Sequence, residues 1–202
     1  MKKIQSKYNG LLEVDIEDGR KVLNSENTSY SGQTLHDIFE KVFKRIDLNG
    51  VKSILLLGLG GGTVVDMLTE ELVYKGKLTT VELDPVIVQI ASREFGIRSN
   101  SKLEVICMDA TEYVRSTRKK FDIIICDIFV DSTLPEVIIA PEFWNNVAKR
   151  LSEQGLIVFN VFHEIKKMAS VAKQLSEMGF DVKLMNRING SNTFLFARKP
   201  VA

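Results

Sequence analysis

A chain of 202 residues, 45% hydrophobic and 26% charged, has the composition of an ordinary globular protein, long enough for one sizeable core and a small appendage. Its 27 basic and 26 acidic residues leave a formal net charge of +1, so no global field points to nucleic acid or to an anionic membrane surface. The apolar runs are too short or too broken by charge to cross a bilayer, and Lys2 and Lys3 lead into no apolar block of a signal peptide; a cytoplasmic location is expected.

After a short tail, Leu12, Val14 and Ile16 alternate with Glu13, Asp15 and Glu17, and Asp18-Gly19 precedes Arg20–Leu23. Alternation around Asp-Gly predicts a β-hairpin. Leu35, Ile38, Phe39, Val42, Phe43 and Ile46 recur at helical spacing, which predicts an amphipathic helix over 33–47, ended by Asn49-Gly50. Residues 1–48 thus read as a hairpin-and-helix extension, and 49–202 as the main, ligand-binding domain.

From Val51 onward strands and helices alternate, with strands expected at 52–57, 78–82, 103–107, 122–127 and 155–160. That rhythm specifies a parallel sheet covered on both faces, and continuous apolar strands suit it. Asp84 before Pro85 is a helix start whose face Val88, Ile90, Ala91 and Phe95 packs inward. Asp109-Ala-Thr-Glu112 resembles a capping box. Ile165, Met168, Ala172, Leu175 and Met178 form a further helical stripe closed by Gly179. Phe180, Val182 and Leu184 then alternate with polar residues, Asn189-Gly190 supplies a turn, and 192–198 returns as a strand, making a terminal hairpin with no helix between. Cys107 and Cys126 read as small buried residues on strands too far apart for a disulfide. Neither has a Cys or His at metal-ligand spacing, so no metal is expected.

The most informative stretch is Ser53-Ile-Leu-Leu-Leu-Gly58-Leu-Gly60-Gly61-Gly62-Thr63, where an apolar strand enters a glycine turn that lets backbone approach a ligand closely. Val81-Glu82-Leu83-Asp84 then closes the next strand on a carboxylate, about 20 residues on, where a ribose-binding acid belongs. A third glycine at the helix start would suit a pyrophosphate, and Thr63 stands there, which tells against a dinucleotide. Asp127 ends the apolar run Ile123-Ile-Ile-Cys126 at the edge where open α/β sheets bind ligands. A buried strand has little reason to finish in a carboxylate unless something uses its charge.

With these motifs, together with Val105-Ile-Cys-Met-Asp109-Ala110, Phe121–Asp127 and Asn192–Arg198, the chain resembles the spermidine synthase-like branch of the class I S-adenosylmethionine-dependent methyltransferase superfamily. The resemblance implies an α/β, Rossmann-like seven-stranded methyltransferase fold, order 3-2-1-4-5-7-6 with strand 7 antiparallel, carrying the small N-terminal hairpin and helix. It implies that Gly58, Gly60, Gly61 and Gly62 line the methionine and ribose part of the cofactor, that Glu82 with Leu83 holds the ribose, that Asp109 and Ala110 meet the adenine, and that Asp127 borders the same site. Asp127 and Asp131 are the candidate catalytic acids, as amine anchor or proton acceptor. His163, beyond the fifth strand, is a secondary base, and His36 is read as a surface residue.

Two departures from the branch bear on the reaction. Its glycine loop usually carries an acid where this chain has Gly61, and its Tyr-His-Glu segment is represented at best by Tyr30. Fewer acids make a poorer site for a diamine, whose desolvated ammonium groups must be paired. The expected function is therefore an S-adenosylmethionine-dependent methyltransferase acting on a small-molecule acceptor such as an amine. Aminopropyl transfer from decarboxylated S-adenosylmethionine, as in polyamine synthesis, and a non-catalytic nucleoside-binding module are the alternatives. No nucleic-acid or membrane partner is expected; the relatives commonly pair, which leaves a homodimer open.

Overall fold

The computed structural model describes residues 2–26, 28–130, 133–188 and 192–200. Three strands open the chain, β1 (Lys2–Ser6), β2 (Gly10–Glu17) and β3 (Arg20–Asn24), and form an antiparallel sheet in the order β1-β2-β3. The β2–β3 hairpin turns at Asp18-Gly19, both with positive φ, as that dipeptide favours. β1 lies where the sequence reads as a tail: Ile4 is its one partly buried large apolar side chain, too little for alternation to register.

Helix α1 (Gln33–Phe43) leads into the main sheet, built from β4 (Ser53–Leu57), β5 (Lys77–Glu82), β6 (Leu103–Cys107), β7 (Phe121–Cys126), β8 (Leu151–Phe162), β9 (Asp181–Ile188) and β10 (Asn192–Arg198). Their spatial order is β6-β5-β4-β7-β8-β10-β9, and β10 runs antiparallel to both neighbours. Numbered within this sheet, that is 3-2-1-4-5-7-6, the order expected above. The Asn189-Gly190 turn between the last two strands lies outside the described residues.

Between the strands run α2 (Thr63–Asp66), continued by a π-helical turn Met67–Glu71, then α3 (Pro85–Glu94), α4 (Ala110–Ser116), α5 (Glu136–Ile139), α6 (Pro141–Arg150) and α7 (Ile165–Glu177). Ile54 to Leu57 are all fully buried, and successive side chains point to opposite faces. Ile54 and Leu56 join Ile38, Phe39 and Val42 of α1 on one face; Leu55 and Leu57 join Trp144 of α6 and Val171 and Leu175 of α7 on the other. Each such burial is worth roughly 1.5–3 kcal/mol relative to exposure, which is why this strand reads as an unbroken apolar run. Edge-to-face ring pairs, Phe39–Phe194 at 5.4 Å and Trp144–Phe159 at 4.9 Å, fill the two layers.

Several local expectations shift by one side chain. α1 stops at Phe43, and Ile46 stays buried from a short turn in which its N–H reaches the Phe43 carbonyl. α3 buries Ile87 with Ile90 and Ala91, leaving Val88 half-buried. α7 buries Met168, Val171 and Leu175, while Ile165 remains 63% exposed, because the face that meets the sheet is rotated from the apolar stripe. α5 is a single turn in the connection between β7 and α6. Cys126 is buried as expected, but Cys107 is exposed, since β6 is the sheet edge and its last residue faces outward. His36 is half-buried beside Glu71, 2.8 Å from its carboxylate, rather than on an open surface. Among the described residues, no helix is long and apolar enough to cross a membrane, and no cluster of His, Cys, Asp and Glu is placed to hold a metal ion.

Candidate functional site

The carboxyl ends of β4, β5 and β7 open onto a cavity of about 490 Å³, within the range of small-molecule and cofactor sites. Gly58, Gly60, Glu82, Leu83, Asp109, Ala110 and Asp127 all line it, so the sheet gathers most of the residues the sequence singled out.

The glycine turn has a double purpose. Gly58 follows β4 with φ 98°, and a Cβ there would sit 2.1 Å from the carbonyl oxygen of Asp127. A Cβ on Gly60 would lie 2.4 Å from the carbonyl oxygen of Tyr30. The bend is thus side-chain-free because two other segments press against it from behind, and the same bareness exposes backbone to the cavity. Gly61 and Gly62, also expected in the cofactor site, are absent from the cavity wall; they pack on Ser31 and Ile97, where a Cβ would meet side-chain atoms at 2.5 and 2.6 Å.

Glu82 ends β5 and turns its carboxyl toward that bend. Oε2 accepts from the Leu59 N–H at 3.0 Å and Oε1 from the Asp84 N–H at 2.9 Å. Burial pushes its pKa up, and hydrogen bonds from the amides of Asp84, Leu59 and Gly60 oppose that rise. A carboxylate offers about four lone-pair directions, so these amides leave room for a sugar hydroxyl.

Asp84, two residues on, is almost fully buried. It caps α3 through the Val86 N–H at 2.9 Å and accepts from Ser6 Oγ and, at 2.7 Å, from Asn9 Nδ2. Tyr30 Oη in turn donates to Asn9 Oδ1 at 2.7 Å. The small N-terminal sheet is thereby tied to the main one, and Tyr8, Asn9 and Tyr30 become part of the cavity wall.

Asp109 caps α4 with Oδ1, which accepts from the Thr111 N–H at 2.7 Å and the Glu112 N–H at 3.1 Å. Asp127 follows Cys126 with its N–H on the Leu57 carbonyl at 2.8 Å. Its Oδ1 accepts from Asn160 Nδ2 at 2.8 Å. Burial raises its pKa from 3.8 to about 6, and the Asn160 hydrogen bond acts against that rise. Asp131 lies outside the described residues. His163 is exposed, held at φ 57° with its ring 4.1 Å from that of Phe162, and does not line the cavity.

Sequence reasoning missed Tyr8, Asn9, Asn160, Phe162 and Asn192 on this wall. The asparagines left a signal, since each interrupts or adjoins an apolar strand run, where a buried amide requires partners. Among the described lining residues there is no Lys, Arg or His. Among the described residues, the wall's acidic side chains are the carboxyls of Glu82, Asp109 and Asp127.

A family model described as the spermine/spermidine synthase domain matches residues 43–187. The chain belongs to this family. Within the spermine/spermidine synthase family it is 35% identical over 116 residues to a polyamine aminopropyltransferase of Vibrio vulnificus, a match covering 56% of this chain and 38% of that relative. A polyamine aminopropyltransferase of Methanocaldococcus jannaschii is 26% identical over 180 residues, covering 84% of this chain and 61% of the relative. The chain thus spans less than two thirds of the length of these curated relatives. Among solved structures, a probable spermidine synthase from Corynebacterium glutamicum superposes with a TM-score of 0.80 at 18% identity, covering 98% of this chain and 79% of that one, a likeness of fold.

Proposed function

We propose that this chain transfers an aminopropyl group from decarboxylated S-adenosylmethionine to an amine acceptor. The observation that carries the reading is the charge of the cavity wall, which has three carboxyls and no basic side chain among the described residues. S-adenosylmethionine would bring an α-carboxylate for which no cationic side chain waits, whereas its decarboxylated form is cationic throughout its tail. Kinship with polyamine aminopropyltransferases supports the same choice. Methyl transfer, favoured above on sequence grounds, is the weaker reading: it rested on the missing acid at Gly61 and the missing Tyr-His-Glu segment, and the first of these positions packs on Ser31 away from the cavity.

Glu82 holds the ribose, the Gly58–Gly60 backbone borders the chain leading to sulfur, and Asp109 with Ala110 sits at the base. The acceptor nitrogen attacks the methylene carbon bonded to sulfur, the C–S bond breaks, and its electron pair stays on sulfur, leaving a neutral thioether nucleoside. Activation resides in the sulfonium, so the protein's task is alignment, exclusion of water and removal of one proton. Asp127 takes that proton from the acceptor ammonium; a pKa of about 6 suits a base working near neutrality.

The test offers the protein decarboxylated or intact S-adenosylmethionine with a panel of mono- and diamines and separates the nucleoside products. Methylthioadenosine formed only with the decarboxylated donor and an amine is expected. S-adenosylhomocysteine formed from the intact donor instead establishes methyl transfer, and tight donor binding with no product from any acceptor establishes a binding module.

A further inference from the structure

Two amides lie buried in the strands beside Asp127. Asn160, inside β8, is 1% exposed, and Asn192, at the start of β10, is 6% exposed. The antiparallel register of these strands brings them together, Asn192 opposite Phe162 and Phe194 opposite Asn160. Asn192 Nδ2 donates to Asn160 Oδ1 at 2.9 Å, and Asn160 Nδ2 donates to Asp127 Oδ1 at 2.8 Å.

The direction of this chain is set at its carboxylate end. An ionised carboxyl only accepts, so Asn160 must turn Nδ2 toward it, which leaves Oδ1 as the group it offers to Asn192. Asn192 then stops the Asn160 amide from flipping, because a flip would set Asn192 Nδ2 against an N–H and Asp127 Oδ1 against a carbonyl oxygen. Buried amides in an apolar layer are destabilising unless they are bonded, and here the bonds from Asn192 through Asn160 lead to a carboxyl on the cavity wall.

We infer that Asn160, oriented by Asn192, is a positioning residue that keeps Asp127 ionised and its Oδ1 engaged, leaving Oδ2 for the acceptor amine. The inference rests on the proton-acceptor role proposed for Asp127, but the geometry has a consequence that needs no turnover. Burial favours the neutral acid and the Asn160 hydrogen bond favours the anion. Among the described residues, the other titratable groups on the cavity wall are Glu82 beyond β5, Asp109 at α4, and Tyr8 and Tyr30 from the N-terminal segment, with Cys126 next to Asp127 in the chain and Asp84, Cys107 and His163 at the same end of the sheet but off the wall. Burial is the influence that raises the Asp127 pKa, and the Asn160 amide donor is the one that opposes it.

The experiment follows the Asp127 carboxyl by carbon-13 NMR through a pH titration of the ligand-free protein, in the wild type, Asn160→Leu and Asn192→Leu. The midpoint is expected to rise by about one pH unit or more in Asn160→Leu, the scale of a lost hydrogen bond to a charged group, and by a smaller amount in Asn192→Leu. The acidic limb of aminopropyl transfer should move with it. An unmoved midpoint in folded Asn160→Leu overturns the inference and leaves the pair a structural one. Should Asn160→Leu fail to fold, Asn192→Leu decides, and a midpoint equal to the wild type's overturns it. A midpoint that moves while the activity limb does not sustains the positioning and overturns the proton-acceptor reading of Asp127.

Discussion

The carboxyl of Glu82 reaches across from the end of β5 to the Leu59 amide, 3.0 Å away, in the bend that ends β4. The acid and the bend are one unit: the same side chain that would hold a sugar also fixes the loop on which that sugar lies.

Replacing Glu82 by Ala is therefore expected to weaken nucleoside binding by about 1.5–3 kcal/mol, the worth of a charged hydrogen-bonding group, and to lower the melting temperature as well, because the Leu59 and Asp84 amides lose their acceptor. Calorimetry with methylthioadenosine and a thermal melt measure the two effects. Unchanged affinity would remove Glu82 from the site, and an unchanged melt would show that the bend holds itself.

A second expectation concerns pH. Asp127 has a folded-state pKa of about 6 against an ordinary 3.8, so between those values the folded protein holds a proton that the unfolded chain lacks. Its contribution to stability is fully present below about pH 4 and is lost as pH rises through about 6. Asp127→Asn, which keeps an acceptor for Asn160, should abolish turnover, leave donor binding intact, and stabilise the protein at pH 8 by on the order of 2 kcal/mol. The gain should shrink to nothing near pH 4. Urea melts of both proteins at the two pH values check the sign, and a gain independent of pH would contradict it. Retained turnover would remove Asp127 from the chemistry.

The features legible in the sequence were those written in neighbouring residues. Glu82 and Asp127 stand out because each closes a strand of the parallel sheet, and Asp84 and Asp109 because each opens a helix with cap chemistry beside it. The strand order came from the family resemblance, with which the alternation of strands and helices and the terminal hairpin agree. Asn160 and Asn192 could not be paired that way, since only the β8–β10 register brings them together. Nor could the pairing of β1, which rests on main-chain bonds to β2 and on polar contacts with Asp84 rather than on an apolar face. The glycine bend was legible as a bend, but its packing on Tyr30, Ser31 and Asp127 was not, because those contacts depend on where distant segments arrive.

The tie between the two sheets yields the third expectation. Asp84 gathers hydrogen bonds from Ser6, Asn9 and the first turn of α3 in a nearly dry setting. Asp84→Ala removes an N-cap, worth about 1 kcal/mol, and takes a buried charged acceptor away from Ser6 and Asn9, at about 1–3 kcal/mol. A total loss of about 2–4 kcal/mol in a urea melt is expected. The damage should also reach the site, because Asn9 positions the Tyr30 hydroxyl and both residues line the cavity. KM for the substrates should rise while the Asp127 limb of the pH profile stays where it was, since the Asn192–Asn160–Asp127 chain lies on the far strands and is untouched. A variant that loses stability with KM unchanged would mean that the N-terminal sheet only braces the domain and does not shape the cavity.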